Sequence, residues 1–190
     1  NVTGSWITTS ADKSKGAGGY TSLALDASGH THISYQGYSY TYCDLMYTTN
    51  ASGSWVTTTV DSSGNVGHGC SLALDASGHA HISYLDYTNA NFDLKYATNA
   101  SGAWVTVTVD SDGDVGSYSS LALDTSGYAH ISYSDYTNAT LKYATNASGT
   151  WVTTTVDSNG DVGRYTSIAL DAKDKVHISY LDAYNTALKY

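Results

Sequence analysis

The sequence predicts an all-β chain built from four copies of one small antiparallel sheet. Three observations carry that expectation. The phrase "SLALDASGHAHISY" at 71–84 returns, nearly unchanged, at 22–35, 120–133 and 167–180. Trp6, Trp55, Trp104 and Trp151 keep the same register, at intervals of 49, 49 and 47 residues. Between these markers lie short words rich in branched and aromatic residues, bounded by Gly, Asn, Asp and Ser clusters, which is how strands and their turns read.

The elements follow in order within each copy. "LAL" reads as an inner strand, "HISY" as the second, "LKYA" as the third and "WVTTTV" as the outermost. Asp26, Asp75, Asp124 and Asp171 close the inner strands, and Leu45, Leu94, Leu141 and Leu188 open the third. The two-residue shortening falls between Ile131 and Leu141, in a loop. Alternation predicts a face with Leu72, Leu74, Ile82, Tyr84, Leu94 and Tyr96, and an opposite face with Ala73, His81, Ser83, Lys95 and Ala97. A bulky face on a small face suits stacking of the copies.

Sheets repeated at this period predict a β-propeller of four four-stranded antiparallel blades in one domain over 1–190. The repeats span approximately 22–60, 71–109, 120–156 and 167–190. An N-terminal strand over 1–9 is expected to close the last blade and cover its edge. Four blades close as one ring, or two chains form an eight-bladed homodimeric ring; the bulky-on-small pairing leans to the second. The phrase at 71–84 resembles the bacterial propeller repeats of the "LALDxxGxxHISY" type, and its layout is similar to that of tachylectin-like lectins. The resemblance covers the whole chain and implies the fold; propellers host many activities.

Composition narrows the partners. A net charge of −9 repels phosphate backbones, so nucleic acid is not expected. No apolar run reaches the ~20 residues of a membrane helix, so no membrane partner is expected. There are 18 Tyr and 4 Trp against a single Phe, and such rings suit half-buried positions with a polar tip. No signal peptide is visible, but the chain begins mid-repeat.

The copies differ in two sets of loops, which share one side of the ring. The outer-to-inner loops read "SADKSKGAGGYTS", "DSSGNVGHGCS", "DSDGDVGSYSS" and "DSNGDVGRYTS". They align Tyr20, Gly69, Tyr118 and Tyr165, preceded by Gly19, His68, Ser117 and Arg164. The second-to-third loops read "QGYSYTYCD", "LDYTNANFD", "SDYTNAT" and "LDAYNTA" and hold Asp86, Asp135 and Asp182. Loops on a rigid scaffold are where binding resides. Tyr20, Tyr118, Tyr165, Arg164, His68, Asp86, Asp135 and Asp182 are therefore the candidate ligand residues. Sugars fit these types: C–H patches stack on rings, and hydroxyls pair with carboxylates and amides. The alternative is that the tyrosines seal the blades and the aspartates cap turns. The remaining turns, "DASG" and "TNASGSW" among them, scarcely vary and read as structural; Asp174 stands where sister copies have Gly.

Other motifs are weaker. His32, His81, His130 and His177 recur one per blade, which favours repeated hydrogen bonds over one metal centre. No metal site or cofactor is expected, apart from a candidate calcium loop at Asp110, Asp112 and Asp114, which lacks a closing Glu, and a structural ion in the channel. Cys43 and Cys70 replace other residue types on sequential blades, so a disulfide between them is a candidate. Such a bond would place the chain outside a reducing cytosol, and an extracellular or cell-surface setting is expected. Five Asn-x-Ser/Thr sequons, at Asn1, Asn50, Asn99, Asn138 and Asn146, follow mostly from turn chemistry. The chain contains no Glu, one Arg and no nucleophile elbow, so an enzyme is not expected. The leading reading is a non-catalytic module that binds glycan. A structural or protein-interaction scaffold is the alternative, and a glycoside-acting enzyme a distant third.

Overall fold

A computed structural model describes residues 4–14, 16–39, 41–88 and 91–190. The described residues form fifteen strands and no helix. The first sheet holds β1 (Ala17–Leu25), β2 (Thr31–Tyr38), β3 (Cys43–Thr49) and β4 (Val56–Asp61). The second holds β5 (Val66–Leu74), β6 (Ala80–Asp86), β7 (Asp93–Thr98) and β8 (Val105–Asp110). The third holds β9 (Val115–Leu123), β10 (Ala129–Asp135), β11 (Thr140–Thr145) and β12 (Val152–Asp157). The fourth has three strands, β13 (Val162–Leu170), β14 (Val176–Asp182) and β15 (Ala187–Lys189). All neighbours pair antiparallel in sequence order.

The invariant turns behave as their residues dictate. Asp75 accepts hydrogen bonds from the backbone of Ser77 and His79, and Gly78 sits at φ +81°. Asp174, in the place of that Gly, adopts φ +60°. The side chain of Asn99 accepts from Ala80 N at 2.8 Å, as Asn50 and Asn146 do in their own copies. Those sequons are turn locks.

The inner strands run side by side, β1 against β5, β5 against β9 and β9 against β13. Register corrects the expected faces. Opposed residues of an antiparallel pair point to one side, and Tyr84 lies opposite Lys95 while Ser83 lies opposite Tyr96. Lys95 and Ala97 therefore share a face with Leu72, Ile82 and Tyr84, and Leu94 and Tyr96 share one with His81 and Ser83. Both faces carry bulk. Leu45 and Tyr47 of the first sheet pack on Leu72, Ile82 and Tyr84 of the second. Leu94 and Tyr96 repeat this on Leu121, Ile131 and Tyr133, and Leu141 on Val162 and Tyr180. Each fully buried Leu, Ile or Val contributes roughly 1.5–3 kcal/mol.

Each joint is also pinned by polar groups. Tyr84 Oη and Lys95 Nζ both donate to Asp61 Oδ2 at 2.7 Å, from the second sheet to the end of the first. Tyr133 and Lys142 do the same to Asp110, and Tyr180 and Lys189 to Asp157.

Among the described residues the expected closing strand over 1–9 does not form. Residues 1–3 lie outside the described residues, and residues 4–10 belong to no strand. Trp6 is 87% exposed, and the fourth sheet stays three-stranded. Three sealed joints leave the two end faces uncovered: Leu23 is 60% exposed where its equivalent Leu72 is 7%.

Candidate functional site: an aromatic pocket beside the inner strands

The site begins with a bulge. Every inner strand shifts register near its start: between Gly19 and Ser22, His68 and Ser71, Ser117 and Ser120, and Arg164 and Ser167. A bulge leaves residues unpaired and re-aims their side chains. At this point Tyr20, Tyr118 and Tyr165 hold φ of +46°, +56° and +52°. The left-handed region costs a residue with a Cβ about 1–2 kcal/mol. The second sheet has Gly69 there, at φ +54°. The four positions surround one opening, lined by Tyr20, Gly69, Tyr118 and Tyr165.

The rings of Tyr20 and Tyr165 are not buried seals between sheets. Tyr165 is 66% exposed and Tyr20 is also largely exposed. Tyr118 lies 4.3 Å from Tyr165, centroid to centroid.

Gly69 is where the copies disagree, and there a pocket of about 480 Å³ opens. Its lining includes Tyr20, His68, Gly69, Tyr87, Phe92 and Tyr118. A Cβ on Gly69 would meet nothing within 4 Å, so the missing ring leaves real space. Four rings form a continuous series: Tyr20 to His68 at 5.3 Å, His68 to Tyr87 at 4.5 Å, and Tyr87 to Phe92 at 3.9 Å. The polar groups are few. Asp114 Oδ1 accepts from Phe92 N at 3.1 Å. His68 Nε2 is buried without a hydrogen-bond partner. Burial lowers the His68 pKa and raises that of Tyr87, so both stay neutral near pH 7.

The remaining candidates divide. Arg164 lies over the Tyr136 ring at 5.4 Å and donates to Asp161 at 2.6 Å. Asp86 caps Thr88 N and lies 3.6 Å from Lys95. Asp135 is buried and holds Asn138, and Asp182 is buried and holds Asn185. All three aspartates cap turns of their own loops, and Asp135 and Asp182 use both carboxylate oxygens to do so. Tyr87, Phe92, Tyr136 and the aligned Gly69 also line the pocket and were not among the candidates. The signals were there: Phe92 is the sole Phe, and Gly69 is the one departure from Tyr among the aligned positions.

Two aspartates of the candidate calcium loop have partners within the fold. Asp110 faces the joint and serves Lys142 and Tyr133, while Asp114 serves Phe92 N. Among the described residues no three His, Cys or Asp side chains converge as a metal site. The histidine series forms hydrogen bonds instead, such as His130 Nδ1 with Tyr143 Oη at 2.5 Å. Cys43 and Cys70 are unpaired. Cys70 Sγ contacts the Tyr20 carbonyl at 2.8 Å and Ser34 Oγ at 3.2 Å, and burial pushes its pKa up to about 11. The cysteines therefore lend no support to an extracellular setting.

No protein-family model and no curated protein matches the sequence. Solved structures do match in shape. An endo-arabinase from Bacteroides thetaiotaomicron is 16% identical with a TM-score of 0.56, over 89% of this chain and 73% of that one. A protein of unknown function from Dyadobacter fermentans is 8% identical at 0.59, over 90% and 67%. A Hadza microbial sialidase is 12% identical at 0.56, over 90% of this chain and 45% of its own length. At such identities the likeness concerns the fold alone. The chain is an all-β, propeller-like protein with an aromatic pocket between its second and third sheets, which Tyr20 of the first sheet also lines.

Proposed function

We propose that this chain is a non-catalytic, lectin-like module that binds a neutral glycan in the pocket above Gly69. The observation that carries the reading is the left-handed backbone of Tyr20, Tyr118 and Tyr165. Strain at bulky residues persists where the fold holds a side chain for use. These rings offer faces for sugar C–H groups, and His68 Nε2 and Asp114 offer partners for hydroxyls. Neutrality follows from charge: Arg164 is engaged by Asp161, and the chain carries −9 overall. Asp114 is the only carboxylate among the lining residues, whereas glycoside hydrolysis ordinarily uses a pair. A cell-surface or extracellular setting goes with this reading.

The test restores the repeat. Gly69→Tyr places a ring where three sister copies carry one. Titration calorimetry with a panel of neutral oligosaccharides is expected to detect binding to the native chain. Gly69→Tyr is expected to abolish it while the chain stays folded, at a stability cost of about 1–2 kcal/mol for a side chain in the left-handed region. A silent panel, or binding indifferent to the added ring, overturns the proposal. The second reading is a protein-binding surface, favoured by the exposed Tyr38, Tyr42 and Tyr184 around the second-to-third loops.

A further inference from the structure

The three internal joints form a template. Tyr47 of the first sheet meets Trp104 of the second edge-on at 5.1 Å, and Tyr96 meets Trp151 of the third at 5.0 Å. At each joint a serine hydroxyl accepts an inner-strand amide: Ser22 from Leu72, Ser71 from Leu121, Ser120 from Ile168. Next in the series, Tyr143 requires a tryptophan from the outer strand of the fourth sheet. That sheet has no such strand among the described residues. A groove of about 520 Å³ lies there, lined by Tyr143, Val156, Ile178, Tyr180 and Tyr190. Val156 is 50% exposed in it, while its equivalent Val60 is 9%.

The other end of the chain carries what the groove lacks. "WITTSAD" at 6–12 matches "WVTTTVD" at 55–61 and 151–157 position by position. Tyr35 Oη donates to Asp12, as Tyr84 does to Asp61. Asp12 thus already occupies the end of an outer strand belonging to a sheet before the first. The segment itself, with Trp6 and Ile7 exposed, pairs with no strand among the described residues.

We infer that two copies of this chain join head to tail at both ends. The Trp6 strand of each copy completes the fourth sheet of the other against the free edge of β15. Trp6 fills the groove beside Tyr143. The face bearing Leu188 and Tyr190 packs on the partner's Leu23 and Leu25. The joint is heterologous, and closure by two copies gives an eight-sheet ring with a two-fold axis. It also covers an unpaired edge that would otherwise invite uncontrolled pairing.

Light scattering of the 190-residue chain across a dilution series tests this. The expected mass is twice 20.1 kDa. Trp6→Ala and Leu188→Arg alter residues exposed in the single chain, so each is expected to fold, with its melting checked by circular dichroism. Each is expected to weaken pairing roughly tenfold or more. A single-chain mass for the native protein overturns the inference. So does a two-chain mass that neither variant disturbs, or a mass that climbs past two chains with concentration.

Discussion

The ring of Tyr118 lies 4.3 Å from that of Tyr165 at an interplanar angle of 47°, and both residues sit in the left-handed backbone region. Two adjacent sheets thus each hold a strained residue to bring the rings together. Tyr118→Gly removes the ring and relieves the backbone, while Tyr118→Ala removes the ring alone. The glycine variant is expected to be more stable than the alanine variant by about 1 kcal/mol in urea unfolding. Both are expected to lose ligand affinity. Equal stabilities would mean that the backbone there stores no strain.

The joints are expected to depend on their buried aspartates. Asp110 receives both Lys142 and Tyr133. Burial works to raise its pKa, and these two donors outweigh burial and hold it below the ordinary value. Asp110→Asn leaves Lys142 without its carboxylate and is expected to cost about 3–5 kcal/mol. Arg164→Ala breaks a half-exposed pair with Asp161 and is expected to cost less than about 1 kcal/mol. Denaturant midpoints of the two variants compare them directly.

Stability is expected to fall on mild acidification because of His81. Burial lowers its pKa below the ordinary 6.5, against the opposing pull of Asp75. Below pH 6.5 the unfolded chain takes up a proton that the folded site resists, so stability is complete above that pH and is lost as pH falls below it. The melting temperature is expected to drop from pH 6.5 toward pH 5. His81→Gln should flatten that slope; an unchanged slope would assign it to other groups.

Glycine is required at the joint for two separate reasons. Gly116 has φ +94°, and a Cβ there would lie 2.8 Å from Leu94 Cα of the neighbouring sheet. Gly102 has φ +87° but open space around it. Gly116→Ala is expected to cost roughly 3 kcal/mol and Gly102→Ala roughly 1 kcal/mol. Thermal melts separate backbone strain from steric overlap between sheets.

Repeat spacing and alternation were enough to read the four sheets, their strand order and the turn chemistry of Asp75 and Asn99. These depend on neighbours in sequence, where period and residue type state the geometry directly. The same alternation misplaced Leu94 and Tyr96, because which side a third strand presents depends on its register with the second. It did not show that Asp135 and Asp182 hold the asparagines of their own loops, because a free carboxylate and a turn cap are the same letter. The tyrosines were legible as candidates from their loops. Their left-handed backbone was not, since a bulge is a mismatch between two paired strands and belongs to neither alone. The sequence by itself determined a four-fold all-β repeat and the loops in which its copies differ. Only the tertiary structure decided that losing one ring at Gly69 opens a pocket, and that the first and fourth sheets keep uncovered faces. Both are properties of surfaces brought together from distant repeats, and a packing vacancy exists only once its walls stand opposite each other.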